Sequence, residues 1–164
     1  MRLFVEDWPA LQRRLGAKPS PAWMTDRRTL EAVLQQRDGM LHEPDAWMWW
    51  TFWQVVLTSK GVSIGLVDFK GPPGPDGRIA VGFSFAPAFW DRGYATEAVG
   101  ALVAWALRQS GVRSITADTN VTNVRSHRVL QKLGFAPAEH VAGGMVRHGD
   151  PGDLLVWRLV KAGV

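Results

Sequence analysis

Apolar and polar positions alternate from Ile79 to Phe85, where Ile79, Val81, Phe83 and Phe85 are separated by Ala80, Gly82 and Ser84. That is the period of a strand with one face in a core, and Pro87 ends it. Farther on the period changes. Val99, Leu102, Val103, Ala106 and Leu107 recur at i, i+3, i+4, i+7 and i+8, one buried stripe of a helix that stops before Gly111. Between strand and helix stands Trp90-Asp91-Arg92-Gly93-Tyr94-Ala95-Thr96-Glu97, a glycine turn that feeds a helix N-terminus. The first turn of a helix carries N–H groups without internal partners and the positive end of the macrodipole, so it attracts anions. Gly93 lacks the Cβ that would hold a phosphate off the backbone, Ala95 and Thr96 are small, and Arg92 adds a positive charge. A pyrophosphate suits such a turn, although a glycine at a strand-to-helix junction has the same appearance without any ligand.

The remaining elements follow from the same periodicities. Asp7-Trp8-Pro9 opens a helix through Leu15, and Pro19 and Pro21 force an extended link. A second helix is expected from Asp26 to Asp38 on the stripe Leu30, Val33 and Leu34, with Gly39 as its stop. The run Trp47-Met48-Trp49-Trp50-Thr51-Phe52-Trp53 leads through Leu57 into a strand, and Val62 to Phe69 forms the next. The indoles are expected in the core, with an aromatic box for an acceptor's cation as the alternative. Gly71 to Gly77 is a proline-stiffened connection to the strand Arg78 to Phe85, completing an antiparallel meander. Ser114 to Thr119 is a strand parallel to its predecessor, because a helix separates the two. Thr122 or Asn123 caps a helix with Val129, Leu130 and Leu133 inward and Gly134 at its end. A closing hairpin is expected from His140 to Arg147 and Leu154 to Val160. Together these predict one α/β domain over residues 1–164, a mixed, mostly antiparallel sheet with helices on both faces.

Composition narrows the chemistry. With no cysteine among 164 residues, disulfides and acyl-cysteine mechanisms are excluded. No apolar run reaches membrane-spanning length and Glu6-Asp7 interrupts the N-terminal apolar stretch, so neither a membrane nor a secretion signal is expected and cytoplasm is the default. The net charge of +4 suits an anionic ligand. It also allows a nucleic-acid-binding module, but the basic residues are dispersed, so a solvated surface is expected and no nucleic-acid partner. His148, Asp150 and Asp153 sit where turn chemistry alone accounts for them, and no metal is assigned.

The turn fits a known signature. Trp90-Asp91-Arg92-Gly93-Tyr94-Ala95 resembles the Gln/Arg-x-x-Gly-x-Gly/Ala motif of the GNAT superfamily of acetyl-CoA-dependent N-acetyltransferases, with Trp90 departing at its first position. An aromatic there, followed by Gly93-Tyr94-Ala95-Thr96-Glu97-Ala98, is similar to the branch of ribosomal-protein N-terminal acetyltransferases. Asn123 and Ser126, followed by Leu133-Gly134-Phe135, resemble that branch's Asn-x-x-Ser and Leu-Gly-Phe pattern. The resemblance is expected over roughly residues 47–160, with acceptor specificity in the early helices.

It implies acetyl-CoA as co-substrate: pyrophosphate on Arg92, Gly93, Tyr94, Ala95, Thr96 and Glu97, pantetheine beside Phe85 and Ala86, and Asn123 and Ser126 near the thioester. The resemblance implies Ser126 as a proton donor; the tyrosine that many members carry at the place of Leu130 is absent, which leaves Ser126 or water, and a strand glutamate is absent at Ala80. Asp118 and Glu43 are candidate bases. The implied reaction is acetyl transfer to a primary amine, on a protein N-terminus or a small molecule, by a monomer or homodimer. A CoA-binding domain without catalysis is the alternative.

Overall fold

A computed structural model describes residues 27–143 and 152–163; the helix expected over Asp7 to Leu15 and the turn residues His148 and Asp150 lie outside them. The order is helix α1 (Arg27–His42), strands β1 (Phe52–Leu57), β2 (Val62–Phe69) and β3 (Arg78–Phe85), helix α2 (Tyr94–Arg108), strand β4 (Ser114–Asn120), helix α3 (Val124–Lys132), and strands β5 (Ala136–Val141) and β6 (Leu154–Val160). They form one six-stranded sheet in the order β1-β2-β3-β4-β6-β5. Every neighbouring pair is antiparallel except β3 and β4, which run parallel because α2 carries the chain back between them.

Alternation sorts the side chains onto two faces. Trp53, Val55 and Val67 share a face with Ala98, Leu102 and Trp105 of α2. α3 lies on that face too, for Leu133 approaches Gly100 and His127 packs on Trp157 at a ring distance of 5.3 Å. Asp68, one residue along β2, points the other way and receives Gln36 Nε2 of α1 at 2.9 Å. Helices therefore cover both faces. Phe69, Ile115, Leu130 and Trp157 are buried at the centre.

Two element boundaries differ from the sequence expectation. α1 does not stop at Gly39; Glu43 N–H donates to the Gly39 carbonyl at 2.9 Å, so the helical ladder runs on to His42. The glycine serves packing instead. A Cβ on Gly39 would lie 2.3 Å from Trp50 Cδ2, and the same indole presses on Gly71. Trp50 Nε1 then donates to Glu43 Oε2 at 2.9 Å. The last hairpin also starts earlier, at Ala136 and not His140. Pro137 is tolerated because β5 is the edge strand, and the register shifts between Pro137 and Glu139.

The tryptophan run only flanks the core: Trp49 is partly buried against it, whereas Trp47 is 48% exposed, because the segment before the first strand is not itself a strand with an inward face. Pro44–Trp49 is a short 3₁₀ helix ahead of β1. Trp49 meets Phe69 at 5.2 Å and Trp105 at 5.0 Å, and Trp53 meets Trp105 at 6.4 Å, so these rings fasten the segment to α2. The stripe of α1 is narrower than its apolar pattern: Val33 is fully buried, whereas Leu34 is exposed.

The Gly39–Trp50 contact gives a test with a sign change. Alanine is the better helix former by about 1 kcal/mol, yet Gly39→Ala should destabilise the protein by about 1–3 kcal/mol, because a planar indole cannot step aside. In a Trp50→Ala background the same substitution should stabilise. Chemical denaturation of the four proteins measures both effects.

Candidate active site

β3 and β4 pair at Arg78↔Ser114, Ile79↔Ile115 and Ala80↔Thr116, and no farther. Thr116 Oγ1 donates to the Ile79 carbonyl at 3.2 Å at the end of this zipper. Beyond it the strands part. Lys70 N–H bonds the Ala80 carbonyl and Ala86 N–H bonds the Ile64 carbonyl, both at 2.9 Å, which fixes the alternation of the β2–β3 ladder. Between them, Phe83 and Phe85 occupy positions whose N–H and C=O groups point away from β2 and into the split. A cavity of about 430 Å³ opens there, floored by Phe83, Ser84 and Phe85 and walled by the turn 89–96 and by α3.

The glycine turn has the geometry its sequence suggests. Gly93 sits at φ 84°, in the left-handed region, and a Cβ there would meet nothing within 4 Å, so its free side faces open space. The first bond of α2 runs from Glu97 N–H to the Gly93 carbonyl at 3.0 Å. The amides of Tyr94, Ala95 and Thr96 precede that ladder and all three residues line the cavity. Across from them, Asn123 caps α3 by accepting Ser126 N–H on Oδ1 at 3.2 Å. His127 Nε2 lies 3.0 Å from the Asn120 carbonyl and must carry the proton, since a carbonyl only accepts. That bond ties α3 to the end of β4.

Of the residues proposed for the cofactor, Phe85, Arg92, Gly93, Tyr94, Ala95, Thr96, Asn123 and Ser126 meet around this one cavity. Ala86 and Glu97 are not among its lining residues. Ala86 is buried and its N–H is engaged by Ile64, while the Glu97 N–H is spent inside α2. None of the indoles of Trp47 to Trp53 lines it; among the described residues the tryptophan that does is Trp90, whose Nε1 donates to the Phe85 carbonyl at 2.7 Å.

Basic residues dispersed in sequence are gathered in space. Arg125, Arg128 and Lys132 join Arg92 around the cavity, which corrects the view of the charge as a merely solvated surface. Their spacing at i, i+3 and i+7 puts them on one face of α3, a periodicity of charge that the sequence carried and apolar pattern-reading passed over. Four cations, three unladdered amides and a helix N-terminus fit a polyphosphate anion.

The candidate bases are placed differently. Glu43 is occupied by Trp50, far along the chain from the split strands. Asp118 lies on β4 just past the last β3 pair, on the face opposite Ala117 and Thr119. Its carboxyl is pushed above the ordinary value of 3.8, first by partial loss of solvation and then by Glu139, which flanks Val156 from the other side. Arg158 stands one register step away on that face.

A family model described as an acetyltransferase (GNAT) domain matches residues 1–136. The match begins at the first residue, so the N-terminal segment expected to fall outside the resemblance lies within it. Among curated relatives, the uncharacterized N-acetyltransferase YjdG of Bacillus subtilis is 35% identical over 83 residues, 51% of this chain and 49% of its own length. YoaA of the same organism is 29% identical over 134 residues, 82% of this chain and 70% of its own length. The crystal structure of ribosomal-protein-S5-alanine acetyltransferase from Vibrio fischeri superposes with a TM-score of 0.69 at 20% identity, covering 98% of this chain and 88% of that one.

The Asp118 shift has a testable sign. A raised pKa means the native state holds this proton more tightly than the unfolded chain, so the ionised carboxylate opposes folding above that range and has no effect below about pH 3.8. Asp118→Asn should raise the thermal midpoint slightly at pH 7 and leave it unchanged at pH 3. An equal shift at both pH values in scanning calorimetry contradicts this assignment.

Proposed function

Because the chain belongs to the GNAT acetyltransferase-domain family, we propose that it moves an acetyl group from acetyl-CoA to a primary amine. The observation that carries this is the split between β3 and β4, lined with unpaired-strand backbone on one side and with a cationic, anion-binding turn on the other. The amides of Tyr94, Ala95 and Thr96 with Arg92 hold the pyrophosphate. The backbone of Phe83 and Phe85, directed into the split, pairs with the pantetheine arm and brings the thioester to the parted strands.

The amine reaches the thioester from the sheet face that carries Asp118, opposite α2 and α3. It must first lose a proton, since an alkylammonium has a pKa of roughly 10.4; the proton passes to water or to Asp118. The neutral nitrogen forms a bond to the acetyl carbon within a ternary complex while N–H groups of the β3 terminus stabilise the oxyanion. As the carbon–sulfur bond breaks, Ser126, half-buried in the cavity wall, protonates the leaving sulfur and regains a proton, directly or through water, from the acylated nitrogen, which becomes the neutral amide. A thiol of pKa near 8.5 is a good leaving group, so this help is modest. The acceptor is a protein N-terminus or a small-molecule amine, as suits relatives that include an S5-alanine acetyltransferase.

Calorimetric titration of acetyl-CoA tests the site. Wild type should bind, and Thr96→Glu and Gly93→Glu should not, because each puts a carboxylate where the pyrophosphate lies. Thr96→Glu is the cleaner variant, since it leaves the left-handed Gly93 in place. Equal binding by all three moves the phosphates elsewhere. In a thiol-release assay across amines, Ser126→Ala should lower kcat by no more than about 10²-fold, the lower end for general acids, and leave KM for acetyl-CoA unchanged. Tight binding without turnover on any amine would instead make this a CoA-binding domain.

A further inference from the structure

Among the described residues, Asp91 is the one carboxylate lining a cavity otherwise furnished for an anion. It sits at φ 57°, in the left-handed region that asparagine and aspartate tolerate better than other side chains. Its Oδ2 accepts from Arg125 Nε at 3.3 Å, and the Arg125 guanidinium lies over the Trp90 ring at 4.8 Å from the centroid. Trp90 is itself fixed by its bond to the Phe85 carbonyl. A strap of three side chains therefore runs from the end of β3, along the turn, to the first turn of α3.

We propose that Arg125 is a phosphate ligand of the cofactor held in reserve by Asp91, which stands in for that phosphate in the free protein and so sets the cofactor's affinity. A guanidinium stacks through its face and hydrogen-bonds through its edge, so Arg125 can remain on Trp90 while its edge exchanges Asp91 for a phosphate. The exchange is easy because both partners are more than half exposed, at 61% and 66%, and exposed ion pairs are weak. It also favours phosphate, which presents more charge and more acceptor oxygens than one carboxylate. The prepositioned arginine is kept from wandering at the price of a bound competitor.

This rests on the CoA reading of the cavity, and the two can fail separately. Asp91→Asn keeps the shape and the backbone preference and removes the competing charge. In calorimetric titration with CoA it should tighten binding by about two- to fivefold, the range an exposed ion pair supplies, and the gain should shrink as salt is raised. Arg125→Ala should weaken binding, and in that background Asp91→Asn should give little or none of the gain. Dephospho-CoA locates the phosphate: a gain that persists assigns the pyrophosphate and one that vanishes assigns the 3′-phosphate, and either agrees with the proposal. CoA binding by wild type with no gain in Asp91→Asn overturns it. So does an equal gain without Arg125, which would make Asp91 a simple source of repulsion. Absence of CoA binding by wild type overturns the functional reading itself and the inference with it.

Discussion

Two parallel strands that stop pairing leave backbone donors and acceptors that must be satisfied by something, and this constraint shapes the rest of the molecule. After Ala80↔Thr116, β3 stays bound to β2 and β4 stays bound to β6, so neither can turn toward the other. The groups of Phe83 and Phe85 face the gap, and one of them, the Phe85 carbonyl, already takes the Trp90 indole N–H. In the proposed function a pantetheine arm, with amides of its own, completes such an edge as an added strand would. Everything else in the site is arranged around the two ends of that gap.

The division of labour between the sheet faces follows. α2 and α3 lie on one face and meet where Leu133 presses on Gly100, which brings the N-terminus of α2 beside the basic face of α3. Positive charge is thus concentrated on that side. The other face carries Asp68 with Lys70 and Gln36 near α1, and Asp118 with Glu139 beyond the split. Arg92, Arg125, Arg128 and Lys132 thus gather on one side of the gap, whereas on the other Asp118 and Glu139 stand near Arg158. Aromatic packing holds the frame: Trp49, Trp53, Phe69 and Trp105 lock the segment before β1 to α2.

Trp90 shows how a departure from a motif can carry information. At the first position of the signature it lines the cavity and lies outside the buried core. It joins the β3 terminus to Arg125 of α3, two elements separated by a helix and a strand. Asp91 beside it is equally unusual, an acid among cations, and the two residues make sense only together with Arg125.

The sequence by itself determined the elements and the turn. Period-two alternation placed β3, the turns on either side bounded β2, the helical stripe placed α2, and Gly93 marked the turn between strand and helix, because these depend on neighbours a few residues away. It also carried the family resemblance. Only the tertiary structure decided which residues meet. Gly39 read as a stop, since a glycine after an apolar stripe has that local meaning, but the side chain that needed the space was Trp50, eleven positions on and folded back against it. Ala86 and Glu97 stood beside true lining residues in sequence, yet their amides were taken by Ile64 and Gly93. Arg125, Arg128 and Lys132 looked like scattered charge until α3 aligned them and the packing of α3 on the sheet aimed them at α2. Local periodicity is written in the order of residues; the partner that satisfies a backbone group or fills a missing Cβ is chosen by the fold.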